Sequence, residues 1–303
     1  MSAVEQIVSV EVVLTSSATA VVFPGQGSQV SGMRDAVAAT RPDLLEKVTE
    51  LVGDDPFERV DESTRFAQPA IFCASLAGWT RLQGHVDPVA LAGHSLGELT
   101  ALAAGGALDE LAALELVVLR GKLMAESGEA SGGGTMLAVI GGTPAQGAAL
   151  AARHRVSLAN DNAPGQVVLS GAPDQLEAAA AAAKEDGLRA MPLDVAGAFH
   201  SPQMAAAVEP FAAALAKVEW RTPAVTVFSC ASAAPFRDPA TELADALVNP
   251  VQWRKTMEAL VADGATAVVD AGPGEVLVKL AKKCVPDIGA SAAATLLESA
   301  DVA

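Results

Sequence analysis

Short apolar runs rich in β-branched residues alternate along the chain with longer segments in which alanine and leucine recur at helical spacing. Strands covered by helices on both faces read as continuous apolar stretches, so this alternation predicts an α/β protein with a largely parallel sheet. Strands are predicted at 18–23, 89–93, 226–229 and 265–270. Glycine-bearing turns follow three of them: PGQGSQ, HSLGE and AGPGE. Helices are predicted at 96–105, 109–125, 202–217 and 253–263.

The pattern changes after the glycine cluster at 132–134. A strand at 136–140 precedes a helix opened by Thr143-Pro144, then a strand at 156–158, the turn NDNAPG and a strand at 166–170. A helix at 173–185 and a strand at 188–194 close the unit. That order, βαββαβ, is the split unit of ferredoxin-like folds. It predicts a small subdomain, residues 131–195, inserted into a larger α/β domain formed by 18–130 and 196–285. The alternative is that the glycine cluster is only a surface loop of one continuous domain. The tail, 286–303, is built mostly from small residues with little pattern, and is expected to be loosely ordered.

Composition narrows the function. Of 303 residues 51% are hydrophobic and 18% charged, ample material for a core. Twenty basic against 36 acidic residues give a net charge of −16. Such a chain lacks the basic surface that nucleic acids and anionic membranes attract, so neither is expected as a partner. The longest apolar stretch, around 99–119, is interrupted by Asp109, Glu110 and Glu115, which excludes a membrane span there. The first residues lack the basic start and apolar block of a secretory signal. Cys73, Cys230 and Cys284 are odd in number and widely spaced, which fits neither a disulfide framework nor a CxxC metal site. A reducing cytoplasm is the expected location, and no metal is called for.

The sharpest chemical motif is Gly93-His94-Ser95-Leu96-Gly97, between a predicted strand and a predicted helix. A GxSxG at that junction matches a nucleophile elbow, which projects the serine hydroxyl clear of the sheet beside helix N-terminal N–H donors; the alternative is a helix N-cap serine. Ser95 is therefore the candidate nucleophile, and it needs a base. His85 and His154 lie in polar surroundings, and His94 adjoins the serine and leaves the turn in another direction. His200 remains as candidate base by elimination, against the alternative of a structural histidine. Asp161, Asp174, Asp186 and Asp194 fall within the inserted unit or at its edge, so no triad acid stands out. A serine–histidine pair oriented by something other than a carboxylate is expected.

Arg120 has apolar residues at every helical neighbour position: Leu116, Val117, Leu123 and Met124. A guanidinium on such a face needs an anion. That anion is either an acid elsewhere in the chain or a substrate carboxylate, which arginine grips at two points. The first turn, Phe23-Pro24-Gly25-Gln26-Gly27, lacks the lysine and spacing of a phosphate loop. The backbone N–H of Gln26 could instead complete an oxyanion site with that of Leu96.

FPGQGSQ, TRFAQPAIF, GHSLGE, LRGKLM, NDNAPGQVVLSG, GAFHSPQM and NPVQWRKTM follow the order and spacing of malonyl-CoA:acyl-carrier-protein transacylases and of polyketide synthase acyltransferase domains. The chain resembles this family over about residues 18–285. The resemblance implies an α/β-hydrolase-like large subdomain with the inserted ferredoxin-like one. It implies ping-pong transfer of a malonyl group from malonyl-CoA, through an acyl-serine, to the phosphopantetheine thiol of an acyl carrier protein in fatty-acid or polyketide synthesis. No cofactor is held permanently. Ser95 would carry the acyl group, His200 would be its base, and Gln26 and Leu96 would form the oxyanion hole. Arg120 would bind the malonyl carboxylate, Gln68 would line the cleft, and the Asn249 carbonyl would orient His200. Leu96 and Phe199 resemble malonyl-selective members. An editing thioesterase of the same fold is the alternative function. Carrier proteins are acidic, so docking onto this acidic chain calls for a local basic patch: Lys279, Lys282 and Lys283, or Arg254 with Lys255.

Overall fold

The structure, a computed structural model, describes residues 18–300. The opening segment, with its predicted lack of a secretory signal, lies outside the described residues. In chain order the strands are β1 (Thr19–Phe23), β2 (Pro88–Gly93), β3 (Thr135–Ile140), β4 (Ser157–Ala163) and β5 (Gln166–Gly171). β6 (Arg189–Leu193), β7 (Thr226–Ser229), β8 (Ala234–Pro235), β9 (Ala267–Asp270) and β10 (Gly289–Ala292) follow. The helices are α1 (Met33–Thr40), α2 (Pro42–Val52), α3 (Thr64–Leu82), α4 (Gly97–Ala104), α5 (Glu110–Ala130) and α6 (Pro144–His154). After these come α7 (Pro173–Glu185), α8 (Ala205–Leu215), α9 (Pro239–Asp245), α10 (Trp253–Ala262), α11 (Val276–Cys284) and α12 (Ala293–Ala300).

One sheet has the order β10-β9-β1-β2-β7-β8, parallel except for the short β8. Every residue of β1 is buried, because helices cover both faces of the sheet. Val21 and Phe23 face a core with Ile71, Phe72 and Leu102, whereas Ala20 and Val22 face one with Trp253, Leu260 and Leu277. Helix starts are set locally. The Asp109 carboxylate accepts from the Leu111 and Ala112 N–H groups ahead of α5, and Thr143 with Gln146 forms a reciprocal capping box ahead of α6.

The second sheet is antiparallel, order β4-β5-β3-β6, and α6 and α7 pack Leu150 and Leu176 against Leu137, Val139, Val167 and Leu169. This is the ferredoxin-like arrangement expected from βαββαβ, inserted in an α/β-hydrolase-like fold. Among the described residues no helix is long and apolar enough to cross a membrane.

Two expectations are corrected. The predicted turn NDNAPG is mostly strand: β4 runs to Ala163, and Asn160, Asp161 and Asn162 are buried. The large subdomain meets the polar groups of two of them, with Arg254 gripping Asp161 (2.7 Å) and His94 Nε2 on Asn162 Oδ1 (2.9 Å), while Asn160 Oδ1 has no hydrogen-bond partner among the described residues. Nor is the tail loose up to residue 300. β10 pairs in parallel with β9 at the sheet edge, and Leu296 and Leu297 of α12 are buried.

Candidate active site

β2 ends in the elbow. Ser95 sits at φ +54°, a left-handed conformation that costs a non-glycine residue on the order of 1–3 kcal/mol and persists only where the surroundings enforce it. The two motif glycines do enforce it. A Cβ on Gly93 would lie 1.9 Å from the Gly97 carbonyl carbon, and one on Gly97 would lie 2.0 Å from the Phe23 carbonyl oxygen. Both obstacles are backbone, so only glycine allows so tight a bend against β1.

The Ser95 hydroxyl has two partners. His200 Nε2 is 2.8 Å from Oγ, and an Arg120 Nη2 hydrogen is donated to the same oxygen over 3.1 Å. His200 is itself left-handed (φ +56°) and buried in the loop ahead of α8. Its Nδ1 faces the carbonyl oxygens of Ala246 (2.9 Å) and Asn249 (3.1 Å). Carbonyls only accept, so Nδ1 carries the proton and Nε2 is left to accept from Ser95. The Asn249 carbonyl was anticipated. The Ala246 carbonyl was not; it belongs to the C-terminal end of α9, where the last carbonyls lack intrahelical donors. Burial first, and the Arg120 charge second, push the His200 pKa down to about 4.

Arg120 is 4% exposed. Its Nη1 donates to Gln68 Oε1 (2.7 Å) and its Nη2 to Ser95, and among the described residues it forms no ion pair. A salt bridge to another described residue is therefore not what this guanidinium serves. Burial lowers its pKa to about 10, with the field of Glu98 opposing, so it is cationic at neutral pH. Gln68 is fixed in turn by its own donation to Thr64 Oγ1 (2.8 Å).

Glu98 escaped the reading of the motif. It is 1% exposed and accepts from Ser229 Oγ (2.9 Å) and the Cys230 N–H (2.7 Å), tying α4 to the end of β7. Cys230 Sγ then accepts the Ser95 N–H (3.3 Å). An acidic residue in a first helical turn is ordinary, and nothing in its spacing reveals burial. His94 turns away from Ser95, toward Asn162 and the Trp253 ring, 5.4 Å between centroids.

Gly25 rests on the elbow, where a Cβ would lie 2.7 Å from the His94 carbonyl oxygen. The backbone N–H groups of Gln26 and Leu96 have no acceptor within the described chain. Both residues line a cleft of about 290 Å³ that also contains Ser95, Arg120, His200 and the buried Phe199. Its opposite wall comes from the inserted sheet, including Met136, Asn160 and Val168. A serine hydroxyl, an imidazole within hydrogen-bond reach of it, a buried guanidinium and two N–H donors unpaired among the described residues thus share one pocket, an arrangement able to support acyl transfer.

The acyl transferase domain family matches residues 20–299. The chain belongs to that family. Among its curated members, malonyl CoA-acyl carrier protein transacylase of Salmonella typhimurium is 38% identical over 90% of this chain and 94% of its own length. A polyketide biosynthesis malonyl CoA-acyl carrier protein transacylase of Bacillus velezensis is 33% identical over 89% and 98%. The crystal structure of the malonyl-CoA:acyl carrier protein transacylase of Xanthomonas oryzae superposes with a TM-score of 0.87 at 33% identity, covering 95% of this chain and 98% of that one. A family member solved in complex with its type II polyketide acyl-carrier protein gives 0.86 at 33% identity, covering 95% and 100%.

Proposed function

We propose that this chain is a malonyl-CoA:acyl-carrier-protein transacylase working through a malonyl-serine at Ser95. The observation that carries the reading is the position of Arg120: a buried cation with no ion pair among the described residues, hydrogen-bonded to the very hydroxyl that His200 can deprotonate. His200 Nε2 takes the Ser95 proton as Oγ attacks the thioester carbonyl, and the N–H groups of Gln26 and Leu96 hold the developing oxyanion. The C–S bond breaks, and the imidazolium returns its proton to the departing coenzyme A sulfur. The phosphopantetheine thiol of the carrier protein then gives its proton to His200 and attacks the ester. Ser95 leaves with that proton, and malonyl-carrier protein is released.

Arg120 pairs with the free carboxylate throughout, with Gln68 holding the guanidinium in place. Phe199, whose ring occupies the space a Gly197 side chain would need, narrows the cleft together with Leu96. Excluding one methyl branch in this way gives about 1–3 kcal/mol of selectivity for malonyl. Residues 131–195 form the inserted subdomain in this reading, and 18–130 with 196–300 form the large one. The enzyme works in the cytoplasm, in the company of coenzyme A thioesters and carrier proteins, where its three free cysteines stay reduced.

An editing thioesterase would face uncharged acyl chains, which give Arg120 nothing to bind. The test is incubation with malonyl-CoA and holo carrier protein, following both products by mass. Malonyl-carrier protein is expected; release of free malonate in its place would make the chain a hydrolase.

A further inference from the structure

The backbone of the elbow is almost fully hydrogen-bonded. The His94 N–H donates to the Phe23 carbonyl (2.9 Å), the Gly97 N–H to the His94 carbonyl (3.0 Å) and the Glu98 N–H to the Ser95 carbonyl (3.1 Å). Between residues 94 and 98 only the Leu96 N–H is unpaired among the described residues, and Leu96 lines the cleft. The Ser95 N–H has a single acceptor among those residues, and it is a sulfur, Cys230 Sγ at 3.3 Å. A buried N–H without that acceptor would be costly, and the peptide plane between His94 and Ser95 would lose its one restraint from the β7 side.

Cys230 follows β7 directly, is 1% exposed, and joins two frames. Its N–H donates to Glu98 (2.7 Å), which closes a loop back to the first turn of α4. Its carbonyl accepts the Gln252 N–H (2.7 Å), and Gln252 Nε2 donates to the next carbonyl, that of Ala231. The same short segment, 249–252, carries the Asn249 carbonyl that faces His200 Nδ1 (3.1 Å). A continuous path therefore runs from the Ser95 N–H through Cys230 and Gln252 to a carbonyl that holds the base. The partners of His200 Nδ1 are carbonyls, so the placing of Ser95 against His200 depends on how this backbone is held. Burial first, and the neighbouring Glu98 carboxylate second, keep the Cys230 thiol well above the ordinary cysteine range. The sulfur is thus a neutral acceptor and no rival nucleophile beside Ser95.

We infer that Cys230 is a positioning residue for the Ser95–His200 pair, an inference that deepens the transacylase reading and rests on it. By accepting the Ser95 N–H it fixes the left-handed backbone at which Oγ lies 2.8 Å from His200 Nε2. Through Gln252 it registers that backbone against the segment that holds the base. Arg120 and Gln68 stand on other helices, α5 and α3, so the grip on a substrate carboxylate does not depend on Cys230.

The test compares wild type with Cys230→Ala, Cys230→Val and Cys230→Ser. Alanine and valine remove the acceptor, valine while filling the space, and serine restores one. Two reactions are followed by intact mass. One is single-turnover malonylation by malonyl-CoA. The other is phosphonylation of Ser95 by a fluorophosphonate, in which Oγ attacks phosphorus, fluoride leaves and His200 takes the hydroxyl proton. The rate constant reports the geometry of the pair, and the final labelled fraction reports how much enzyme is folded. Alanine and valine are expected to slow both reactions by about 10- to 100-fold, because a nucleophile misplaced by about 1 Å loses on the order of 10² in rate. The malonyl-CoA concentration at half-maximal rate should stay within about twofold of wild type, and serine should recover both rates to within about fivefold. Wild-type rate constants in Cys230→Ala and Cys230→Val overturn the role, even where the labelled fraction falls. A serine variant as slow as alanine, or a loss confined to half-saturation, overturns it too. A wild type that is phosphonylated at Ser95 but not malonylated removes the transacylase reading instead, and the phosphonylation rates alone then decide the role of Cys230.

Discussion

Replacing Arg120 by alanine separates the roles of charge and nucleophile. The guanidinium is buried and cationic at neutral pH, with a pKa of about 10, and its terminal nitrogens donate to Gln68 and Ser95, which line the same pocket. A malonyl carboxylate gripped at two points makes two charge-assisted hydrogen bonds, each contributing about 1.5–3 kcal/mol. Leaving that carboxylate buried without its partner costs about 3–5 kcal/mol. At about 1.4 kcal/mol per factor of ten, Arg120→Ala should slow malonylation of Ser95 by roughly 10²- to 5 × 10³-fold. Acetyl-CoA has no carboxylate to lose. Removing the cation also relieves the second cause of His200's low basicity, so acetylation should stay within about fivefold of wild type. Arg120→Lys keeps charge without the fork and should fall between. Single-turnover acylation by each donor, read by intact mass, gives both rates. Equal losses with malonyl and acetyl donors would refute the carboxylate-binding role.

Acylation of Ser95 requires neutral His200, so its rate should be flat above about pH 5 and fall in acid with a midpoint near 4; a midpoint near 6.5 would show that burial and Arg120 do not act on this imidazole as described. Glu98→Ala leaves the Ser229 hydroxyl and the Cys230 N–H buried without an acceptor, at about 1–3 kcal/mol each, and thermal unfolding should register the loss, while Glu98→Gln keeps an acceptor and should cost less. Gly97→Ala drives a methyl into the Phe23 carbonyl, and denaturant unfolding should report about 3 kcal/mol or more of destabilisation; a variant as stable as wild type would mean the bend tolerates a side chain.

The parts of this molecule written in local pattern were legible in its sequence. The apolar β1 and β2 runs, the glycine-flanked serine and the capping box of α6 each carry their own signature. Arg120 announced itself by contrast with its apolar neighbours, although the nature of its partner did not. Features settled by distant contacts were hidden. Asp161 and Asn162 look like turn residues because only the fold supplies Arg254 and His94 to pair with them. Helix α3 shows almost no periodicity because it is buried nearly all round. The small residues of β10 gain a strand only from the edge offered by β9. The Ala246 carbonyl that helps orient His200 is a backbone group, and no side chain marks it.

Incubation of the purified chain with malonyl-CoA, followed by intact mass and peptide mapping, tests the whole account most directly. One malonyl group is expected on the peptide containing Ser95, lost on addition of holo carrier protein and never formed by Ser95→Ala. A stable adduct on another residue, or an adduct that survives Ser95→Ala, would contradict it.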